Sequence, residues 1–342
     1  MEAKENVMVL AEVRGQSIHN LTFEMIAWGR KLADKLNTSM DCVVLGINNG
    51  KLKELIHWGA DRVLAISPGM LNNFLATPAA SLLVSAIREE RPSIVIAPAT
   101  TYGRTLMPIA AARLATGLTA DCTELDIDPK DNLLLQTRPA IGGNIMATIK
   151  TNRTKPQMAT VRPRTIKPVQ RPERVDGIVV VKHYNTAAGW PEKFISFTRG
   201  EESGINLENA EIVLTGGKGM KSRENFSLLD KLSGLMGSGL GATRDAVEAG
   251  WAPFSRQIGL TGKTVSPKVY IAAGVSGKIQ HLAGMITSEF IIAINEDPRS
   301  QIFKVADLGI VGDAPTIIAE LARVFATLKS SGKELENDGG KN

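Results

Sequence analysis

The stretch VYIAAGVSGKIQHLAGM, Val269–Met285, reads as a buried strand, a turn punctuated by Gly274 and Gly277, and a helix. A strand that feeds a helix through a glycine turn is the unit of a parallel α/β sheet, and the first amides of such a helix are unpaired donors at the positive end of its dipole. An acceptor-rich ligand suits that position. The pattern is not a familiar phosphate motif, because the two glycines do not complete GxGxxG and Lys278 is not followed by Ser or Thr. Ser276 reads as the N-cap, and Gln280 and His281 place polar side chains one helical turn in.

Outward from this stretch the same rhythm repeats. EIVLTGGKGM, a helix across Phe226 to Gly237, GLGATRDAVEAGW, EFIIAIN, LGIVGD and a last helix in PTIIAELARVFATLKSS form one α/β series, with Pro315 just inside the last helix. Ligands of open α/β sheets gather at the carboxyl ends of the strands. The polar turns GGKG, GATR, GVSG, AIN and GD at those ends point to one extended ligand.

An earlier series precedes it. NVMVLAEV, DCVVLGI, RVLAI and SIVIAP have strand composition, with helix-length segments between them. In LTFEMIAWGRKLADKLN, residues Leu21, Met25, Trp28, Leu32 and Leu36 share one face. After Asp121 the texture shortens to ELDID, NLLLQTRPA, GNIMATIK and QMATVRPR, read as added strands with some antiparallel pairing. The organisation is therefore two α/β domains, 1–197 and 210–330, with a polar bridge over 198–209 and a polar tail over 331–342. The carboxyl-terminal one is a doubly wound parallel sheet.

Composition excludes several classes. The chain has 342 residues, 43% of them hydrophobic and 22% charged, enough for two ordinary globular cores. Its net charge of +5 is concentrated at 151–177, where seven Lys or Arg meet two acids and four prolines. With no aromatic interleaved, that run reads as a solvated strand end and a proline-stiffened connection, and no nucleic-acid partner is expected. Cys42 and Cys122 are too few for a disulfide framework and lack zinc spacing, which fits a reducing compartment. No leader or apolar span is visible, so a cytoplasmic protein without membrane insertion is expected. The four histidines stand in no HExxH and beside no GxSxG, so neither metal nor catalytic residues are assigned. ATTYGRTLMP, Ala99–Pro108, could hold an anion, but capping by Thr100 or Thr101 explains it as well.

VYIAAGVSGKIQHLAGMITSEFIIAIN resembles the signature of the electron transfer flavoprotein alpha subunit (FixB) family, with Val269 where Leu or Ile is usual. LTGGKGMKSRENF, GSGLGATRDAVEAGW, QIGLTGKTVSPKVYIA and INEDPRSQIFKVADLGIVGD agree in order and spacing. The first half is similar more loosely, through RPSIVIAPAT, RTLMPIAAARL and ATVRP. The resemblance implies an FAD-bearing subunit, paired with a beta subunit, that takes electrons from flavoprotein dehydrogenases such as the acyl-CoA dehydrogenases of fatty acid β-oxidation. It also leaves room for an NADH-dependent bifurcating complex.

By the same resemblance the flavin contacts are Lys218, Thr243, Arg244 and Gln257, the loop Ile258, Gly259, Leu260 and Thr261, and the turn Ser276, Gly277, Lys278, Ile279, Gln280 and His281. Asn295, Asp313 and Ala314 complete the set. His281 is expected at the O2 edge of the ring, Arg244 over the ring and Thr261 near N5. Three positions depart from the family pattern: Lys218 for Arg, Leu260 for Gln and Glu296 for Lys. The alternative reading is an NAD- or nucleotide-binding α/β enzyme or regulator.

Overall fold

The computed structural model describes residues 6–47, 50–67, 71, 73–140, 145–173, 175–184, 192–196, 205–208 and 210–338, with the side chains of 50 and 330–338 excepted. The chain divides into two compact units, Met1–Phe197 and Thr198–Asn342. Most of the bridge expected over 198–209 and the last four tail residues lie outside the described residues.

The first unit runs β1 (Val7–Leu10), a short hairpin of β2 (Val13–Arg14) and β3 (Ser17–Ile18), α1 (Leu21–Lys35), β4 (Met40–Leu45), α2 (Glu54–His57), β5 (Arg62–Ile66), α3 (Ala76–Glu90), β6 (Ile94–Pro98) and α4 (Thr101–Leu114). It continues through β7 (Leu118–Cys122), β8 (Glu124–Ile127), β9 (Leu134–Pro139), β10 (Met146–Ile149), β11 (Gln157–Val161) and β12 (Ile178–Lys182). Seven strands form a parallel sheet in the order β12-β5-β4-β1-β6-β11-β7. Alternate residues of each strand face opposite ways. Val7, Val9, Cys42 and Val44 therefore pack under α1, through Met25 and Trp28. Met8, Leu10, Val43 and Leu45 pack with Leu82 and Leu83 of α3 and Leu106 of α4. A sheet covered on both faces needs apolar residues at every position, which explains the unbroken runs.

The added pieces divide. ELDID, NLLLQTRPA and GNIMATIK supply β8, β9 and β10, a three-stranded antiparallel sheet. QMATVRPR behaves differently: β11 enters the parallel sheet between β6 and β7, with all five of its residues buried. Its polar members are satisfied internally, as when Gln157 Oε1 accepts from the Leu134 amide at 2.8 Å. The basic run is thus partly core. Arg162, only 5% exposed, pairs with Asp121 at 2.7 Å. Both cysteines are buried free thiols, and burial pushes Cys122 up to about 12 and Cys42 further.

The second unit runs β13 (Ile212–Gly216), α5 (Arg223–Met236), β14 (Gly239–Ala242), α6 (Arg244–Glu248), β15 (Val269–Ala273), α7 (Ile279–Leu282), β16 (Phe290–Asn295), β17 (Leu308–Val311) and α8 (Ala314–Asp338). Its five strands are all parallel, in the order β14-β13-β15-β16-β17. One face packs Leu214, Ile271 and Ile294 against Phe226 of α5 and Ile318 of α8. The other packs Val213, Tyr270 and Ala272 with Ile258, Met285 and Ile302, and draws in Leu207 from the stretch read as a bridge. α5 starts three residues before Phe226, where Ser222 caps it by accepting from the Asn225 amide at 3.2 Å. α8 continues to Asp338, so the backbone of part of the expected tail is helical. Among the described residues no helix is long and apolar enough to cross a membrane.

Candidate functional site

In the second sheet the chain goes from β13 out to β14, then returns across β13 to β15. Ligands of such sheets sit at the carboxyl edge where the order reverses, here between β13 and β15. This edge is made of backbone. An added Cβ on Gly217 would lie 2.2 Å from the Gly274 carbonyl oxygen, and Gly274 itself turns in the left-handed region at φ +64°. Two chain segments touch there with no side chain between them.

All five strand ends lie on this edge because all five strands are parallel. Lys218 is exposed just past β13, in the 3-10 turn Lys218–Met220. Past β14, Thr243 occupies the cap position of α6, where its carbonyl accepts from the Ala246 and Val247 amides, and its buried hydroxyl makes no cap bond and has no hydrogen-bond partner among the described residues. Arg244 is exposed and paired to Glu248 at 2.7 Å. Asn295, at the end of β16, donates to the Val275 carbonyl at 2.8 Å and so ties the turn after β15 to the turn after β16. Asp313 caps α8, accepting from Thr316, and together with Glu296 it receives the Lys221 ammonium. The ion pair to Lys221 and the Thr316 bonds lower Asp313 to about 2. Ala314 begins α8 and is buried.

The turn after β15 differs from its sequence reading. Ser276 is not the cap of α7; the helix starts at Ile279 behind Lys278. Ser276 instead offers its carbonyl to the Ile302 amide at 3.2 Å. Gly277, at φ +77°, brings the turn so close to Ile302 that a Cβ would lie 2.3 Å from its nitrogen. Backbone contact at this point lengthens the turn before a helix can start.

Gln257 to Lys263 form a closed loop, with Lys263 N–H donating to Gln257 O at 2.7 Å and Gly259 N–H to Lys263 O at 3.1 Å. Gln257 is buried and donates to the Thr261 hydroxyl at 3.0 Å, which leaves that hydroxyl its own proton to donate. The loop docks on α7, where Leu260 N–H meets Gln280 O at 2.7 Å and Ile258 O faces His281 Nδ1 at 3.0 Å.

His281 is not placed as a free cation. Both ring nitrogens have protein partners, Ile258 O and the Tyr270 hydroxyl at 2.9 Å, and burial drives the imidazole down to about 4. The sequence reading overlooked Tyr270. A tyrosine inside an otherwise aliphatic strand, VYIAA, was the available signal, since a buried phenol needs a partner.

A glycine-lined crevice, an orphaned buried hydroxyl at Thr243 and the exposed cations Lys218, Arg244 and Lys278 on one edge fit a ligand carrying phosphates and many acceptors. Among the described residues no group of three or more His, Cys, Asp or Glu is placed to hold a metal ion.

Residues 7–184 match the family described as the electron transfer flavoprotein domain, and residues 206–286 match the electron transfer flavoprotein FAD-binding domain. The chain belongs to the electron transfer flavoprotein alpha-subunit family. It is 42% identical over 331 residues to the electron transfer flavoprotein subunit alpha of Thermoanaerobacterium thermosaccharolyticum, covering 96% of this chain and all of the relative. It is 40% identical to protein FixB of Clostridium saccharobutylicum, over 93% of this chain and 95% of the relative. It is also 40% identical to lactate dehydrogenase (NAD(+),ferredoxin) subunit LctC of Acetobacterium woodii, over 90% of this chain and 74% of the relative. The cofactor of this electron transfer flavoprotein chain is FAD, and the matched FAD-binding region contains β13 to α7.

Proposed function

We propose that this chain is the alpha half of a cytoplasmic heterodimer that takes electrons from flavoprotein dehydrogenases and passes them to a downstream acceptor. FAD supplies the redox chemistry; the protein binds it, orients it and sets the charge around it. The observation that carries the reading is the match to the FAD-binding domain across the crevice between β13 and β15. On this reading the phosphates lie against the turn Ser276–His281, with Lys218 and Lys278 as cations. Asn295, Asp313 and Ala314 line the far end of the ligand, and Thr243, Arg244 and the loop Gln257–Thr261 hold the ring end.

A beta subunit is supported by apolar side chains left in solvent at this edge, where Leu260 is 66% and Ile279 57% exposed. Side chains of that kind beside a ligand mark a surface that a partner covers. A relative named for NAD(+) and ferredoxin gives one ground for testing NADH as a second electron source. The test is co-expression with the beta partner followed by stopped-flow mixing. Bleaching of the flavin absorbance by acyl-CoA with its dehydrogenase supports the dehydrogenase reading. Bleaching by NADH alone supports the second source, and a protein purified without flavin absorbance overturns the proposal.

A further inference from the structure

Tyr270 is fully buried in β15, among Val213, Ile258, Val265 and Met285. Its hydroxyl lies 2.9 Å from His281 Nε2, and His281 Nδ1 lies 3.0 Å from the Ile258 carbonyl. A carbonyl only accepts, so Nδ1 carries the proton; Nε2 of a neutral ring then accepts, and the tyrosine donates. The protons run in one direction from Tyr270 through His281 to Ile258.

The end point of that chain is the loop Gln257–Lys263, whose Ile258 side chain is buried in the core and whose Ile258 amide donates to Ala242 O at 2.9 Å. Further attachments include the Leu260–Gln280 backbone bond, the pairing of Ala242 with Gln257, and the approach of Gly284 to Gly259, where a Cβ on Gly284 would lie 2.5 Å from the Gly259 nitrogen. Gly259 sits at φ +145°, open to glycine alone. The imidazole is thus the only side chain among the described residues that is shown bonding to the carbonyl of Ile258. With the other tautomer, two lone pairs would face each other there and push the loop off α7.

We propose that Tyr270 is a positioning residue of the flavin site: the Ile258 carbonyl sets the Nδ1–H tautomer of His281, and the Tyr270 hydroxyl, by donating to the bare Nε2, holds the ring against Ile258 and thereby holds the loop that presents Thr261. The tautomer stands on the protein's own contacts, whereas its consequence for ligand binding rests on the flavin reading. In the flavin-loaded protein with ¹⁵N-labelled histidine, His281 should show a protonated Nδ1 and a bare Nε2, with the same pattern after the flavin is stripped. Tyr270→Phe should leave Nε2 without its donor, shift the Nε2 resonance, and weaken FAD binding about tenfold. A packing role alone would leave the nitrogen spectrum unchanged. A protonated Nε2 in the parent protein, or an unmoved spectrum in Tyr270→Phe, overturns the proposal. Replacement of the three tyrosines by fluorotyrosine tests the same bond without a sequence change. The more acidic phenol should shift the His281 Nε2 resonance, and an unshifted resonance overturns the proposal equally. A shifted Nε2 resonance in Tyr270→Phe with unchanged FAD affinity would count against the flavin reading and not against the tyrosine.

Discussion

The two parallel sheets reverse their strand order at comparable places, and the two reversal points are built differently. In the first unit the reversal lies between β1 and β6, where Glu12 is 1% exposed. Its carboxylate accepts from the Thr100 hydroxyl at 2.7 Å and from Arg14 at 2.9 Å, and its amide donates to Thr22 at 3.0 Å. Thr100 in turn caps α4 by accepting from the Gly103 amide. The donors that a ligand would use are spent on the protein's own side chains. In the second unit the corresponding walls are Gly217 and Gly274, and the nearby Thr243 hydroxyl has no hydrogen-bond partner among the described residues. Topology places a crevice in both units; side-chain identity decides whether it can be filled from outside.

The largest expected effect comes from putting a side chain between the two backbone segments at the second unit's reversal point. Gly217→Ala should cost about 3 kcal/mol or more of stability and abolish FAD binding, since the new methyl must displace the Gly274 backbone. Gly103→Ala is the matched change in the first unit, where the Cβ would meet the Pro98 carbonyl at 1.9 Å. It should destabilise that unit as strongly and leave the FAD dissociation constant of the folded fraction unchanged. Fluorescence titration of both variants with FAD, alongside urea unfolding, separates the two edges.

Acid should act on the second unit through His281. An unfolded histidine takes its proton below about pH 6.5. The folded one takes it only near pH 4. The unfolded state therefore binds more protons in that window, and stability falls as the pH falls through it, by roughly 3 kcal/mol in total. Urea unfolding followed by Trp251 fluorescence at pH 7 and at pH 4.5 measures this. A His281→Gln protein should lose most of the slope, and an equal slope in both proteins would remove His281 as its source.

Glu12→Ala should cost about 2 kcal/mol by leaving the buried Thr100 hydroxyl without the carboxylate it donates to, with no change in flavin affinity. The smallest effect belongs to Arg244→Ala, expected to lower the flavin potential by on the order of tens of millivolts. Its guanidinium is exposed and already shares its charge with Glu248, so binding should change less than the potential. A spectroelectrochemical titration with an unmoved potential would take Arg244 out of redox tuning.

Much of this architecture was legible in the sequence because it is local. Strands covered on both faces read as unbroken apolar runs, and α1 buries Leu21, Met25, Trp28 and Leu32 as their spacing predicts. What escaped was set by distant partners. β11 is a short run between Pro156 and Pro163, and nothing in its five residues says that they pair with β6 and β7. β12 joins the sheet at β5, more than a hundred residues back in the chain. At the site, the glycine turns were visible and their strand ends do share one edge. The roles of single side chains were not, because they depend on hydrogen bonds between separate elements. His281 reads as a donor to a ligand until Tyr270 and Ile258 are found at its two nitrogens. Ser276 reads as a cap until Ile302 claims its carbonyl.

Amide hydrogen exchange with and without FAD tests most directly whether the ligand belongs to the carboxyl edge of the second sheet alone. Added FAD should slow exchange in peptides covering 217–221, 243–248, 257–263 and 276–282, and leave those covering 10–14 and 99–105 unchanged. Protection at 10–14 and 99–105, with none at the second sheet's edge, would contradict the account.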